Sequence, residues 1–225
     1  MNAVFLNRYD AGRKLAKKLS SYHNHSQTII LGLPRGGVPV AYEIAKNLNL
    51  PWDVCLVRKL GLPGFPETAM GAIAENASIH EPTNETTIID RQRVKVKGVS
   101  QEQINAIAAR EKAELKWRAN NYQRYRPMLT IAQRTIILVD DGIATGLTMH
   151  AAIELLRQHQ PKQIIVATPV IASQAIERLK TQIDKLIYSI APTSLGAVGF
   201  WYEDFSQVTD REVCDLLSLG SYSRD

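Results

Sequence analysis

An α/β fold built on a parallel sheet is predicted by three observations. Short apolar runs rich in β-branched residues recur along the chain: Thr28 to Leu33, Ile136 to Val139, Gln163 to Val170 and Lys185 to Ile190. Two of them end in glycine-bearing turns, Pro34-Arg35-Gly36-Gly37 and Asp140-Asp141-Gly142. Each turn opens a helical pattern, and repeated strand–helix steps define a parallel sheet covered by helices. The expected architecture is one domain over 1–225 with a twisted parallel sheet. Its core is about 1–59 and 135–225, and a subdomain of about 60–134 is inserted.

Composition excludes several classes. Hydrophobic residues make up 45% and charged residues 22%, which suits an ordinary globular chain able to bury a large core. No apolar run approaches the roughly 20 residues of a membrane span. Met1 to Leu19 alternates charged and apolar residues and lacks a signal-peptide core, so a cytoplasmic location is expected. Cys55 and Cys214 form no metal or redox motif and read as free thiols. The net charge of +5 is uneven. Arg91 to Arg126 holds ten Lys/Arg against three Asp/Glu, a balance of +7, which leaves the remainder near −2.

Taken in order, Phe5, Tyr9, Gly12, Ala16 and Leu19 recur at helical spacing, so Val4 to Ser21 is expected as an amphipathic helix whose Arg and Lys side chains face solvent. The strand Thr28 to Leu33 leads through Pro34-Arg35-Gly36-Gly37 into a helix ending near Asn47. Asp53 to Val57 reads as a strand ending in two cations, Arg58 and Lys59. Gly61 to Pro66 reads as a loop, mobile without ligand. Ala69 to Ala74 and Thr86 to Asp90 read as strands of a small sheet. Ser100 to Tyr122 is a strong helix, with Ser100 and Gln103 spaced as a capping box. Lys112, Lys116 and Arg118 fit a solvated face of that helix. Ser173 to Thr181 and Thr209 to Leu219 are the last helices.

The chemistry concentrates in Ile136-Ile-Leu-Val-Asp-Asp-Gly-Ile-Ala-Thr-Gly-Leu-Thr148. A buried strand gives way at once to two carboxylates, a short loop and a helix start. Ligands in open parallel sheets bind beyond the carboxyl ends of the strands. The free N–H groups of a helix N-terminus form a phosphate site, to which Thr145 and Thr148 add hydroxyls. Asp140 and Asp141 would repel a phosphate, so they must serve another part of the ligand. Paired carboxylates accept the two O–H donors of a ribose diol well. The stretch therefore reads as a pentose 5-phosphate site. Neither Gly-x-Gly-x-x-Gly nor Gly-x-x-x-x-Gly-Lys-Ser/Thr is present.

Four apolar residues, two acids, three variable residues and Thr-Gly-x-Thr resemble the phosphoribosyl pyrophosphate (PRPP) motif of type I phosphoribosyltransferases, with every constrained position filled. Pro34-Arg35-Gly36-Gly37 resembles the pyrophosphate loop of the same family. Arg58 to Gly64 is similar, in part, to a segment of adenine phosphoribosyltransferases. The hood and final loop look closest to a subgroup of predicted phosphoribosyltransferases. The resemblance implies a Rossmann-like core with an inserted hood or flap, and a magnesium-dependent transfer of the phosphoribosyl group to a nitrogenous acceptor, a nucleobase above all, with release of pyrophosphate.

The resemblance also distributes roles. Asp140 and Asp141 would hold the ribose, stabilise positive charge developing on it, and lie near Mg²⁺ through water. Arg35, Gly36, Gly37, Arg58 and Lys59 would face the pyrophosphate, with Arg35 and Lys59 stabilising it as it leaves. Gly142, Ile143, Ala144, Thr145, Gly146 and Thr148 would cradle the 5-phosphate. The acceptor is expected at Trp201, Tyr202, Glu203 and Asp204, in a stretch of four aromatics and two acids that follows the last strand. Hypoxanthine-guanine enzymes carry an acid where Ala144 stands, so a 6-oxopurine of the usual kind is disfavoured. The basic insertion leaves a second reading open, a non-catalytic PRPP sensor or RNA-binding regulator on the same fold. A homo-oligomer is the expected assembly, without a membrane partner.

Overall fold

Helix α1 (Arg8–Lys18) opens the described part of the chain, which in this computed structural model comprises residues 4–75, 85–125 and 129–220. Part of the insertion, 76–84, and Arg126 of its basic stretch lie outside the described residues. The Asn7 side chain caps α1 by accepting the Asp10 N–H. The helix starts later than the expected Val4, because Phe5 instead forms a bridge with Tyr202. Strand β1 (Thr28–Gly32) and helix α2 (Gly37–Leu48) follow where the pattern puts them.

The run from Asp53 to Val57, expected as one strand, belongs to two. Strand β2 (Trp52–Val54) pairs with β1 in parallel, whereas β3 (Leu56–Leu62) enters a second sheet. The change is made at Cys55, whose N–H bonds the Gly32 carbonyl at 3.0 Å. Arg58 and Lys59 therefore lie inside a strand rather than at its end. Strands β4 (Phe65–Glu75) and β5 (Glu85–Ile89) complete an antiparallel sheet in the order β3-β4-β5. The segment expected as a loop is a tight hairpin, with Leu62 paired to Phe65 across Pro63-Gly64.

A short helix α3 (Arg91–Val96) leads to α4 (Gln101–Gln123). The capping box is formed, the Ser100 Oγ accepting from Gln103 N–H at 3.3 Å and Gln103 Oε1 from Ser100 N–H at 2.9 Å. Then come β6 (Thr135–Val139), α5 (Leu147–Arg157), β7 (Gln163–Val170), α6 (Ser173–Lys180), β8 (Lys185–Ile190) and α7 (Asp210–Gly220).

The main sheet runs β2-β1-β6-β7-β8, all parallel. Side chains alternate between two cores, as the period of a strand requires. Ile30, Ile137, Ile165 and Ile187 join α1, α2 and α7 on one face. Ile29, Leu31, Ile136, Leu138 and Val166 join α5 and α6 on the other. The small sheet is wedged between them: Leu60, Met70 and Ile73 pack with Leu115 and Tyr122 of α4 in the first core, and Val57, Ala72 and Ala74 enter the second. Strand order reverses between β1 and β6, since the chain leaves β1 toward β2 and leaves β6 toward β7. That crevice is where an open α/β sheet offers a ligand site.

Candidate functional site

Two loops meet at the reversal point. The loop after β1 is Pro34-Arg35-Gly36, with a cis peptide between Pro34 and Arg35. The loop after β6 is Asp140 to Gly146. Gly32 pairs with Val139 at the strand ends, and the Leu33 N–H bonds the Val139 carbonyl at 2.8 Å, so the loops leave side by side. They touch: a Cβ on Gly36 would overlap the Asp141 carboxylate, so only glycine allows this approach.

A cavity of about 560 Å³ lies against the second loop. Asp140, Gly142, Ile143, Ala144, Thr145, Gly146 and Thr148 line it, together with Lys59 of β3 and Arg93 and Lys97 of the insertion. A second cavity of about 600 Å³ adjoins it through Lys59 and Thr148 and is lined by Arg35, Arg58, Arg110, Glu111 and Arg118. Part of the basic excess in the insertion thus faces the loops. Arg118, expected on a solvated face, is 5% exposed, and its buried Nε has no hydrogen-bond partner among the described residues. It lies 3.4 Å from Asp210 Oδ1, which also accepts the Tyr122 hydroxyl, while Asp210 Oδ2 accepts from Arg35 Nη1 at 3.2 Å. Asp210, at the start of α7, therefore ties the first loop to α4.

The loop between β6 and α5 leaves the start of its helix open. Helix α5 has no side-chain cap, and the Thr145 hydroxyl lies 3.5 Å from the Leu147 N–H, too long to satisfy it. From α6, Arg178 Nη1 donates to the Thr145 carbonyl at 2.9 Å and steadies the turn.

Burial raises the pKa of both acids at the strand end. Asp140 is pushed well above the usual carboxylate range by desolvation and then by the charge of Asp141. Asp141 is raised too, but the adjacent Arg8 guanidinium opposes the effect of burial.

A model of the phosphoribosyl transferase domain matches residues 5–200. The chain belongs to that family. A protein of Mycobacterium tuberculosis (strain CDC 1551 / Oshkosh), provisionally named a phosphoribosyl transferase, is 36% identical over 214 residues, covering 95% of this chain and 46% of the relative. The chain thus spans about half the length of that relative. The crystal structure of TT1426 from Thermus thermophilus is 38% identical, with a TM-score of 0.75 over 96% of this chain and 98% of that one.

Within this phosphoribosyl transferase domain, the structure brings together the residues expected around a sugar phosphate: Arg35, Gly36, Asp140, Asp141, the Gly142–Thr148 loop, and Lys59, which lines both cavities. Arg58 reaches the second cavity, but its Nε and Nη2 both donate to Glu111, at 2.8 and 2.6 Å.

The aromatic stretch stands differently from the rest. Tyr202 is buried between the Phe5 and Phe205 rings, at 5.3 and 5.0 Å, and its hydroxyl donates to the Asp141 carbonyl. The Trp201 indole N–H bonds the Leu195 carbonyl, and the Trp201 carbonyl accepts from Val4 and Phe5. Glu203 and Asp204 are exposed, and their N–H groups bond Phe5 and Leu6. The Ser206 N–H holds the Asp204 pKa below its ordinary value, which makes it a poorer base. The four residues expected at the acceptor line neither cavity; they fasten the N-terminal segment to the site. The same loop does abut the loop after β6, because Val198 fills the space where a Cβ of Gly142 would stand.

Two participants escaped the sequence reading. Arg8, assigned with the other α1 cations to a solvated face, is 8% exposed and paired with Asp141. A signal was present: Arg8 is in helical register with Ala11, Gly12 and Leu15, the inward face. Asp210 gave none, since an acid in the first turn of a helix is commonplace.

Proposed function

We propose that this domain transfers the phosphoribosyl group of PRPP to a nitrogenous acceptor, a nucleobase above all, and releases pyrophosphate. One observation supports this most: a single crevice at the β1/β6 reversal joins an acid pair, an uncapped helix start with Thr145 and Thr148, and a wall of Arg and Lys. Each part suits one portion of PRPP. The Asp140–Asp141 pair suits the sugar, the α5 start suits the 5-phosphate, and Arg35 with Lys59 suits the diphosphate. Negative charge grows on the leaving pyrophosphate, and fixed cations there favour the transition state over the ground state.

Mg²⁺ fits this donor set as a partner of the ligand. Among the described residues no group of three or more His, Cys, Asp or Glu side chains could hold a metal. Asp140 and Asp141 offer hard oxygens beside the crevice, and magnesium prefers to keep waters and phosphate oxygens. When bound, the ion would offset the charge of the diphosphate. Ala144 lines the cavity where an acid would be needed for a 6-oxopurine of the usual kind. The acceptor side is the edge where Val198 meets Gly142, with Phe200, 69% exposed, beyond it.

The test is a panel of nucleobases and other nitrogen nucleophiles with PRPP and Mg²⁺, scored for pyrophosphate release, with calorimetry of PRPP and ribose 5-phosphate alongside. At least one acceptor should support turnover. Absence of PRPP and ribose 5-phosphate binding at millimolar ligand would sink the reading. PRPP binding without turnover, together with a salt-sensitive RNA complex lost on charge reversal at Lys95 and Lys97, would favour the regulator instead.

A further inference from the structure

Helix α4 buries one face, made by Ile104, Glu111, Leu115, Arg118 and Tyr122, which recur at the three- and four-residue spacing of a helical stripe. Leu115 and Tyr122 pack with Leu60, Met70 and Ile73 of the small sheet. On the same stripe between them stands Arg118, whose side chain is 6% exposed. An apolar side chain would serve that packing without the cost of removing a charge from water. The contacts of Arg118 answer its charge only in part. Nη2 lies 3.1 Å from Glu114 Oε1, and Nε lies 3.4 Å from Asp210 Oδ1 without forming a hydrogen bond. Arg118 also lines the second cavity, beside Arg35, Arg58, Lys59 and Arg110, with Glu111 the one acid in that wall among the described residues.

We infer that Arg118 is a further anion-binding residue on the diphosphate side of the site, supplied by the inserted helix rather than by either loop. This rests on the PRPP reading above and adds a residue to it. The arginines of the wall form two sets, each around one acid. Arg58 and Arg110 converge on Glu111. Arg35 and Arg118 converge on Asp210, whose Oδ2 accepts from Arg35 Nη1 at 3.2 Å. An anion that meets Arg35 therefore meets a second guanidinium held on the same carboxylate. Burial adds to the effect, because a cation shielded from water attracts an anion more strongly than a solvated one. The planar guanidinium also suits phosphate oxygens. Asp210 is itself fixed by the Tyr122 hydroxyl, so Arg118 is held before a ligand arrives and loses little side-chain freedom on binding.

Calorimetry on the full chain tests this, with inorganic pyrophosphate as one probe and ribose 5-phosphate as the other. Arg118→Gln should weaken pyrophosphate about tenfold and ribose 5-phosphate less than about threefold, within the range of one hydrogen bond to a charged group. Arg118→Lys keeps the charge, loses the planar fork and should recover part of the loss. Lys116→Gln removes an exposed charge from the same helix and should change neither affinity. Glu114→Gln works in the opposite sense. The Glu114 side chain is 38% exposed, so its loss spares the fold, and pyrophosphate should tighten about twofold, the scale of a part-exposed ion pair. Thermal unfolding shows which variants are folded; if Arg118→Gln is not, Arg118→Lys and Glu114→Gln decide. A folded Arg118→Gln with unchanged pyrophosphate affinity would overturn the assignment. Equal losses for the two probes would overturn it too, since they mark a general field rather than a diphosphate contact. Wild-type pyrophosphate affinity in both Arg118→Lys and Glu114→Gln would have the same meaning. If the wild type binds neither probe, the proposed function itself is overturned, a different result from any of these.

Discussion

Asp140 and Glu111 are both acids in the walls of the two adjoining cavities, and their surroundings differ in sign. Glu111, on α4, is 6% exposed and accepts from Arg58 and Arg110, each of which reaches it with two nitrogens. Burial alone would raise its pKa, but those guanidinium groups outweigh burial and hold it below the ordinary value. No guanidinium donates to Asp140 among the described residues, and burial and the neighbouring Asp141 push it well up. Folding has paired one acid with two cations and the other with a second acid. On the function proposed above, a half-buried acid with a raised pKa beside an uncapped helix start is where the ligand would supply what the protein does not. An acid surrounded by arginines is holding the insertion to the core.

The comparison predicts opposite responses to removing each charge. The largest effect should be on turnover. Asp140→Asn should lower kcat by roughly 10²–10³, the usual cost of losing one preorganised electrostatic contact to a transition state. Steady-state kinetics with the best acceptor from the base panel will measure it, and a drop below tenfold would remove Asp140 from the reaction. Glu111→Gln should instead cost stability, by about 2 kcal/mol, the scale of hydrogen bonds to charged groups. The sign with pH follows from its lowered pKa. The stabilisation is present above the unfolded value and is lost as pH falls through the folded one. Urea unfolding of wild type and Glu111→Gln should therefore show a gap at neutral pH that closes in acid; a gap that persists would mean that charge is not its source.

Asp140→Asn should do the reverse to stability. An acid with a raised folded pKa binds more protons folded than unfolded between the two values, so it costs stability as pH rises through that window. The amide keeps an oxygen for the Asp141 N–H and removes the half-buried charge. The variant should gain about 1 kcal/mol at neutral pH, the scale of many stabilising substitutions, and lose that gain in acid. Destabilisation by Asp140→Asn at neutral pH would break the contrast with Glu111.

What could be read from sequence follows the reach of each signal. The loop after β6 is one contiguous stretch; strand, acids and loop fell where Ile136 to Thr148 put them, and the helix starts at Leu147, two residues ahead of the Met149 that the pattern suggests. The helix α4 and its capping box were equally local. The break at Cys55 was not legible, because an apolar run gives no sign that its halves pair with different sheets. Arg8 and Arg118 were misplaced because helical periodicity separates faces but does not tell which cations have a carboxylate waiting on another element. Asp141 and Asp210 lie 133 residues from Arg8 and 175 from Arg35, respectively, along the chain. The aromatic stretch was placed at the correct edge by topology, but its side chains are spent on Phe5, Leu195 and the Asp141 carbonyl, partners that composition cannot supply.

The smallest expected effect on stability sharpens the comparison from the ligand's side. If the α5 start is reserved for a phosphate, its hydroxyls should matter little to the unliganded fold. Thr145 is exposed, its Oγ1 makes only the 3.5 Å approach to Leu147 among the described residues, and its backbone is held independently by Arg178. Thr145→Val keeps the shape and removes the hydroxyl. Unfolding free energy should stay within about 0.5 kcal/mol of wild type, as for a surface change without a structural role. Ribose 5-phosphate affinity should still fall about tenfold, equivalent to ~1.4 kcal/mol, because a hydrogen bond to a charged phosphate is lost. A true helix cap would behave otherwise, costing about 1 kcal/mol of stability when removed. Calorimetry and urea unfolding on the same variant separate the two. Loss of stability without loss of affinity would mean that the hydroxyl serves the helix, and the phosphate would then have to rest on the backbone N–H groups and Thr148.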